Sequence, residues 1–225
     1  MKAKLISYSV PTQELIDQGI DDVQEMIAFC ARVSNPANQF NTETSEKLIR
    51  YLIKHKHWSP LEMASACIEI ETTRDIAHQI VRHRSFVFQE FSQRYANPDQ
   101  MGPEIFEYSE ARVQDEKNRQ NSITVDDFQL ATDWQHMQQR VAFNCKKEYD
   151  EAIKMGIAKE LARKLLPEGL TKTRLYMNGT LRSWVHYIEL RASNGTQKEH
   201  MDVARECAKA ISTIFPMAEE FVPKT

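Results

Sequence analysis

An α+β fold follows from three features of the sequence: a small antiparallel or mixed sheet with several helices, one of them long. Short segments alternating at period two (Lys4 to Val10, Ala64 to Thr72, Leu170 to Met177) are dispersed among segments with apolar residues every three to four positions. One helical-period segment, Thr124 to about Met155, far outruns the others. The composition is that of an ordinary globular chain with no low-complexity tract: 41% hydrophobic and 27% charged, with 6 Gly and 8 Pro in 225 residues. That length supports one sizeable core, and residues 1–225 are expected to form a single domain.

Each element has a local reason. Lys4 to Val10 reads as the first strand, ended by Pro11. Val23, Met26, Ile27, Cys30 and Val33 form one stripe of a helix over Asp21 to Val33, which Asn35-Pro36 stops. Thr44 and Ser45 open a second helix that carries Leu48, Ile49, Leu52 and Ile53 to about His55. Ala64 to Thr72 sets Ile68 and Ile70 against Cys67, Glu69 and Glu71, as in a half-buried strand. Thr73 to Arg82 follows as a helix, with Thr73 as N-cap and Asp75 in the first turn, where the helix dipole favours an acid. Asn97-Pro98 and Gly102-Pro103 mark loops, Ile105 to Val113 holds a short strand, and Gln114 to Ser122 is a polar surface loop.

In the long segment, Leu130, Trp134, Met137, Val141, Cys145 and Ala152 recur at helical spacing behind a capping box of Thr124 and Asp127. Some thirty residues of helix span about 45 Å. Either part of that length lies at a subunit interface or the helix packs across one monomer. Ile157 to Leu166 is a shorter helix carrying Arg163 and ended by Pro167. The strand Leu170 to Met177 leads to a helix over Thr180 to Arg191, with Leu181, Trp184, Val185 and Ile188 inward and Arg182 stacked on His186 at i, i+4. The last helix, Gln197 to Phe215, is capped by Thr196 and Glu199 and turns Met201, Ala204, Ala208, Ile211 and Phe215 inward.

The formal net charge of −3 implies no global attraction to nucleic acid or to an anionic membrane. Cys30, Cys67, Cys145 and Cys207 are scattered in apolar contexts without zinc spacing, which predicts buried free thiols in a reducing cytoplasm. The apolar run at the N-terminus is too short for a signal peptide, and no run reaches membrane-spanning length.

The stretch from Arg82 to Tyr95 carries the chemistry. Three basic-type side chains open it, and if Phe86 onward is extended, Glu90, Ser92 and Arg94 share one face while Val87, Phe91 and Tyr95 share the other and suit a core. Upstream, His78, Gln79 and Arg82 lie along one side of the helix. Three arginines with one nearby carboxylate suit a phosphate, which guanidinium forks bind in bidentate fashion. A solvated, salt-bridged face is the competing explanation. Phe on both flanks and Ser and Gln interleaved at period two argue against it. In His55-Lys56-His57-Trp58-Ser59-Pro60-Leu61-Glu62, a metal pair at His55 and His57 lacks a third ligand, leaving a connector built on Trp58.

Arg82-His83-Arg84, seven residues and then Ser92 resembles the RHR-x7-S signature of the flavin-dependent thymidylate synthases, and Gln79, Glu90, Arg94 and Tyr95 fit the longer family pattern. The resemblance extends from His57 to Glu199. His57, Ser59-Pro60 and Glu62 match an element of the family's flavin site, Arg163 and Pro167 an Arg-x-x-x-Pro element, and Leu190-Arg191-Ala192 with Gln197 and Glu199 the end of the pattern. Departures are Gln89 and Thr180 where Asn is common, Gln93 where a small residue is common, and Asn194-Gly195 where His is common.

The resemblance implies a thymidylate synthase-complementing protein fold and the conversion of dUMP to dTMP. It implies FAD as cofactor, with NADPH and 5,10-methylenetetrahydrofolate as co-substrates, and a homotetramer whose sites are shared between subunits. Gln79, Arg82, Glu90, Ser92, Gln93, Arg94, Arg163 and Arg191 would contact dUMP. Ser59, Arg82, His83, Arg84, Glu90, Thr180, Arg182 and His186 would contact FAD. Arg191 would be catalytic, stabilising negative charge on the uracil ring, and the flavin would supply the hydride. No cysteine sits beside a base or a cationic cluster, so the nucleophile of the classical thymidylate synthases has no counterpart. Two other classes compete: a colourless regulatory module binding a pyrimidine nucleotide, and an RNA-binding surface, which the net charge and the lack of a second basic stripe disfavour.

Overall fold

The computed structural model describes residues 1–223. In chain order the elements are β1 (Lys2–Tyr8), α1 (Gln13–Ile16), α2 (Val23–Ala31), α3 (Ser45–Lys54), β2 (Ser65–Thr73), α4 (Arg74–Ile80), β3 (Val87–Glu90), β4 (Arg112–Gln114), β5 (Ser122–Thr124), α5 (Phe128–Lys154), α6 (Lys159–Ala162), β6 (Lys172–Thr180), α7 (Leu181–Arg191) and α8 (Lys198–Ser212). The α+β expectation holds. A four-stranded antiparallel sheet runs in the order β1-β2-β6-β3, with a separate β4-β5 hairpin.

β2 and β6 pair without interruption from Ser65 opposite Thr180 to Thr73 opposite Lys172. Their alternation buries Ala66, Ile68 and Ile70 on one strand and Leu175 and Met177 on the other. α8 lies over β1 and β2, and α7 packs beside it. Trp184 of α7 is sealed in this core, where its indole Nε1 donates to Ala66 O at 3.0 Å. Burying a side chain of that size contributes about 2–3 kcal/mol. Among the described residues no helix is long and apolar enough to cross a membrane.

Several boundaries differ from the expected ones for local reasons. β1 starts two residues early because Lys2 to Leu5 pair with Ile68 to Glu71. Asp127 itself caps α5, its Oδ1 accepting from Leu130 N at 2.9 Å, because Thr124 is drawn into the hairpin opposite Arg112. That hairpin replaces the expected strand over Ile105 to Val113 and frames the polar loop. Glu199 does not cap α8, since its carboxylate pairs with Arg112 instead, and a cation outcompetes a neutral N–H. The shorter helix over Ile157 to Leu166 is reduced to α6 and a 3₁₀ turn, Arg163–Leu165. The expected strand at Leu170 begins at Lys172 and continues to Thr180.

α5 spans 27 residues, about 40 Å. Only Gln138, Ala142 and Tyr149 of it are buried, and the expected inward stripe of Leu130, Trp134, Met137 and Val141 faces outward. One anchor is Gln138, whose amide exchanges hydrogen bonds with Ser109 N (2.9 Å) and Ser109 O (3.0 Å). The cysteines are unpaired, but only Cys207 is fully buried; Cys30, Cys67 and Cys145 are half-buried because their helix and strand faces are only partly covered.

Candidate active site

The turn after α4 is fixed by its own backbone and by the core beneath it. His83 N donates to Ile80 O at 3.1 Å, Phe86 N to His83 O at 3.2 Å, and Ser183 Oγ to Ser85 O at 3.2 Å. The Phe86 ring is buried edge-on against Trp184, centroids 4.8 Å apart, and lies flush on Gly179 of β6. Arg82 and Arg84 stand exposed on this braced turn. Among the described residues, neither guanidinium meets a carboxylate. Charges so placed are available to an external anion.

Beneath the turn lies a polar network joining α4, α7 and α8. Arg191 Nε donates to His83 Nε2 at 2.9 Å. Guanidinium nitrogens only donate, so His83 is neutral and carries its proton on Nδ1. Burial and the Arg191 charge lower the His83 pKa to about 4, in accord with that state. The His83 ring lies 5.0 Å from Tyr187 and 6.2 Å from His200, centroid to centroid. His200 is wholly buried, with Nδ1 3.1 Å from Gln79 Oε1 and Nε2 3.1 Å from the Tyr187 hydroxyl. Burial, Arg191 and His83 lower its pKa to about 3, and burial pushes Tyr187 well up, so Tyr187 donates to a neutral imidazole. Gln79 Nε2 in turn donates to Gln197 Oε1 at 2.7 Å.

A second group surrounds the start of α7. Thr180 caps the helix by accepting from Ser183 N at 3.2 Å. Arg182 pairs with Glu62, and the His186 ring packs on Trp58 with centroids 4.3 Å apart. The two side chains thus find partners on the Trp58–Glu62 segment, not on each other. Ser59 is exposed on that segment. The Ser183 bond to Ser85 joins this group to the Arg82–Arg84 turn.

A third group forms where residues 92–95 approach α6. Arg94 meets Glu160 at 3.3 Å, and Lys159 Nζ donates to Tyr95 O at 3.1 Å. Arg163 follows one turn later, half-buried, with no carboxylate partner among the described residues. The extended face predicted from Glu90 to Arg94 does not persist. β3 ends at Glu90, and Tyr95 and Ala96 both donate backbone N–H groups to Ser92 O at 3.0 Å. Glu90 turns inward, accepting from Thr173 Oγ1 at 2.9 Å and facing Arg74 at 3.4 Å. Val87 and Tyr95 are exposed and not core, because β3 takes its register from Asn178 and Met177 of β6 and so points Phe86 and Phe88 inward. Gln93, expected to face the nucleotide, is 2% exposed, and its Nε2 is buried with no hydrogen-bond partner among the described residues.

A cleft of about 530 Å³ lies elsewhere, against Tyr108, Lys198 and Arg205. The donors suit phosphate-bearing ligands: guanidiniums at Arg82, Arg84 and Arg163 that meet no carboxylate among the described residues, exposed hydroxyls at Ser59 and Ser92, and the His186–Trp58 pair for a flat ring. They therefore fit a flavin nucleotide and a nucleoside monophosphate. Burial pushes the Cys30, Cys67 and Cys207 thiols up, opposite to what a thiolate nucleophile needs. The residue that sequence reasoning missed is His200. Its spacing to Ala204, Cys207 and Ile211 places it on the buried stripe of α8, where Met201 had been expected.

A family model described as thymidylate synthase complementing protein matches residues 14–217. The chain is 48% identical over 216 residues, 96% of each chain, to a probable flavin-dependent thymidylate synthase of Paramecium bursaria Chlorella virus 1. It is 45% identical over 218 residues, again 96% of each, to the flavin-dependent thymidylate synthase of Synechocystis sp.. In fold it is similar to the crystal structure of a UMP/dUMP methylase from Streptomyces cacaoi bound with 5-Br UMP, with a TM-score of 0.76, 22% identity and coverage of 98% of this chain and 92% of that one.

Proposed function

The chain belongs to the family of flavin-dependent thymidylate synthases, and from that membership we propose that it reductively methylates dUMP at C5 to dTMP, with carbon from 5,10-methylenetetrahydrofolate and reducing equivalents passed from NADPH to FAD. The observation that carries this reading is the Arg82–Arg84 turn, held by backbone hydrogen bonds yet with neither guanidinium paired to a carboxylate among the described residues. Ser59, Arg82, His83, Arg84, Glu90, Thr180, Arg182 and His186 form the flavin side. Bound FAD supplies the hydride. Gln79, Arg82, Glu90, Ser92, Gln93, Arg94, Arg163 and Arg191 form the nucleotide side.

Arg191 is the catalytic group. Its Nε is occupied by His83, which leaves the two terminal nitrogens for the edge of the uracil ring. A fixed cation there stabilises negative charge developing at N3 and the carbonyl oxygens. An exposed apolar stripe along α5, which a second copy of the chain would cover, supports a homotetramer with sites shared between subunits. The whole chain acts as one catalytic domain, and its unpaired cysteines fit the cytoplasm.

The test is the absorbance of the purified protein in the flavin region, with and without dUMP, followed by turnover. A yellow protein that forms dTMP is expected, as is an Arg191→Ala variant that keeps its flavin and forms none. A colourless protein that binds dUMP supports the regulatory alternative. Full activity in the variant removes Arg191 from the mechanism.

A further inference from the structure

Outside the residues already assigned, the buried polar group with the most constrained surroundings is His200. It is 0% exposed on an otherwise apolar face of α8, yet both ring nitrogens are matched. Tyr187, itself buried, approaches Nε2, and Gln79 Oε1 approaches Nδ1, each at 3.1 Å. Desolvating an imidazole and a phenol costs free energy unless each is paired. An isoleucine or leucine would fill the same space without that requirement. The pairing does accomplish one thing an apolar side chain cannot. It fixes which end of the Gln79 amide faces inward.

The consequences follow from donor and acceptor counts. Gln79 Oε1 is turned to the His200 Nδ1–H, and one hydrogen of its Nε2 goes to Gln197 Oε1 at 2.7 Å. One amide hydrogen remains, and Gln79 is only partly buried. Resting on the reading that Gln79 faces dUMP, we propose that His200, held by Tyr187, is a positioning residue that locks the Gln79 amide so that it presents an N–H donor to a nucleotide oxygen. His200 touches neither substrate nor flavin; it acts through Gln79. Were the amide free to turn over, its carbonyl would meet the nucleotide oxygen for part of the time and repel it.

Two variants separate this role from simple packing. His200→Asn keeps an N–H near the Nδ1 position and loses the bond to Tyr187. His200→Gln keeps a polar group near Nε2 and loses the bond to Gln79. Both are prepared as flavin-loaded protein, and dUMP is titrated by calorimetry alongside steady-state kinetics. For His200→Gln the Kd and KM for dUMP rise about tenfold, the worth of one orienting hydrogen bond. Its kcat and flavin content hold, and the KM for NADPH is unchanged. His200→Asn rescues most of the dUMP affinity. Equal dUMP affinity in both variants, whether both intact or both lost, overturns the assignment, as does a loss that falls on kcat or on flavin content. Wild-type protein that fails to bind dUMP would instead overturn the thymidylate reading, and this assignment with it.

Discussion

Replacing Gly179 by alanine tests how the Arg82–Arg84 turn is braced. Gly179 has no positive φ, so its backbone is open to any residue; what excludes a side chain is Phe86. A Cβ at 179 would lie 2.4 Å from Phe86 Cδ1, 2.7 Å from Cε1 and 3.2 Å from Cγ. Carbon atoms rest at about 3.5–4.0 Å, so the ring must retreat by about 1 Å. Because Cγ is also too close, swinging the ring tip aside does not relieve the clash. Phe86 is buried against Trp184, and its backbone N closes the turn on His83 O, so the retreat passes to the turn itself. Gly→Ala alone gains about 0.4–1 kcal/mol from a stiffer unfolded chain, whereas overpacking of this kind costs about 1–3 kcal/mol. The steric term wins, for a net loss of about 1–2 kcal/mol, or roughly 2–8 °C in Tm for a chain of this size. Thermal unfolding and flavin retention are the assays: both fall in Gly179→Ala, and adding Phe86→Leu recovers part of each through coupling between the neighbours. A Tm at or above wild type would show that the core yields at Phe86 and that the turn is not braced there.

Two further outcomes are expected. Met137→Glu places a charge in the exposed apolar stripe of α5; light scattering should report a smaller species with its circular dichroism intact and its activity lost, whereas an unchanged mass would remove this face from the interface. Stability should also fall with acid. His83 and His200 titrate at about 4 and about 3 in the folded chain, both below the value of 6.5 expected when unfolded. From pH 6.5 downward the unfolded chain binds protons that the folded chain refuses, so stability is full above about 6.5 and declines towards pH 4 and below. Tm measured between pH 7.5 and pH 4 follows this slope, and His200→Gln flattens it; a slope unchanged in that variant would place the titration elsewhere.

The sequence by itself determined the α+β class, the alternation along β2 and β6, the helix that leads from Thr180 to Arg191, and the family signature from Gln79 to Tyr95. These depend on spacing within a few residues, where helical and strand periods act directly on the chain. Tertiary structure decided the rest. Glu199 was claimed by Arg112 across the fold and Thr124 by a hairpin, so two legible capping boxes did not form. Gln93 was buried, and the apolar stripe of α5 was turned outward, because a stripe reports a need for cover without saying whether the cover is this chain or another. His200 drew its role from Tyr187 and Gln79, 13 and 121 residues away. Contacts at that separation leave no local pattern in the chain; they exist only once the packed core has fixed which elements meet.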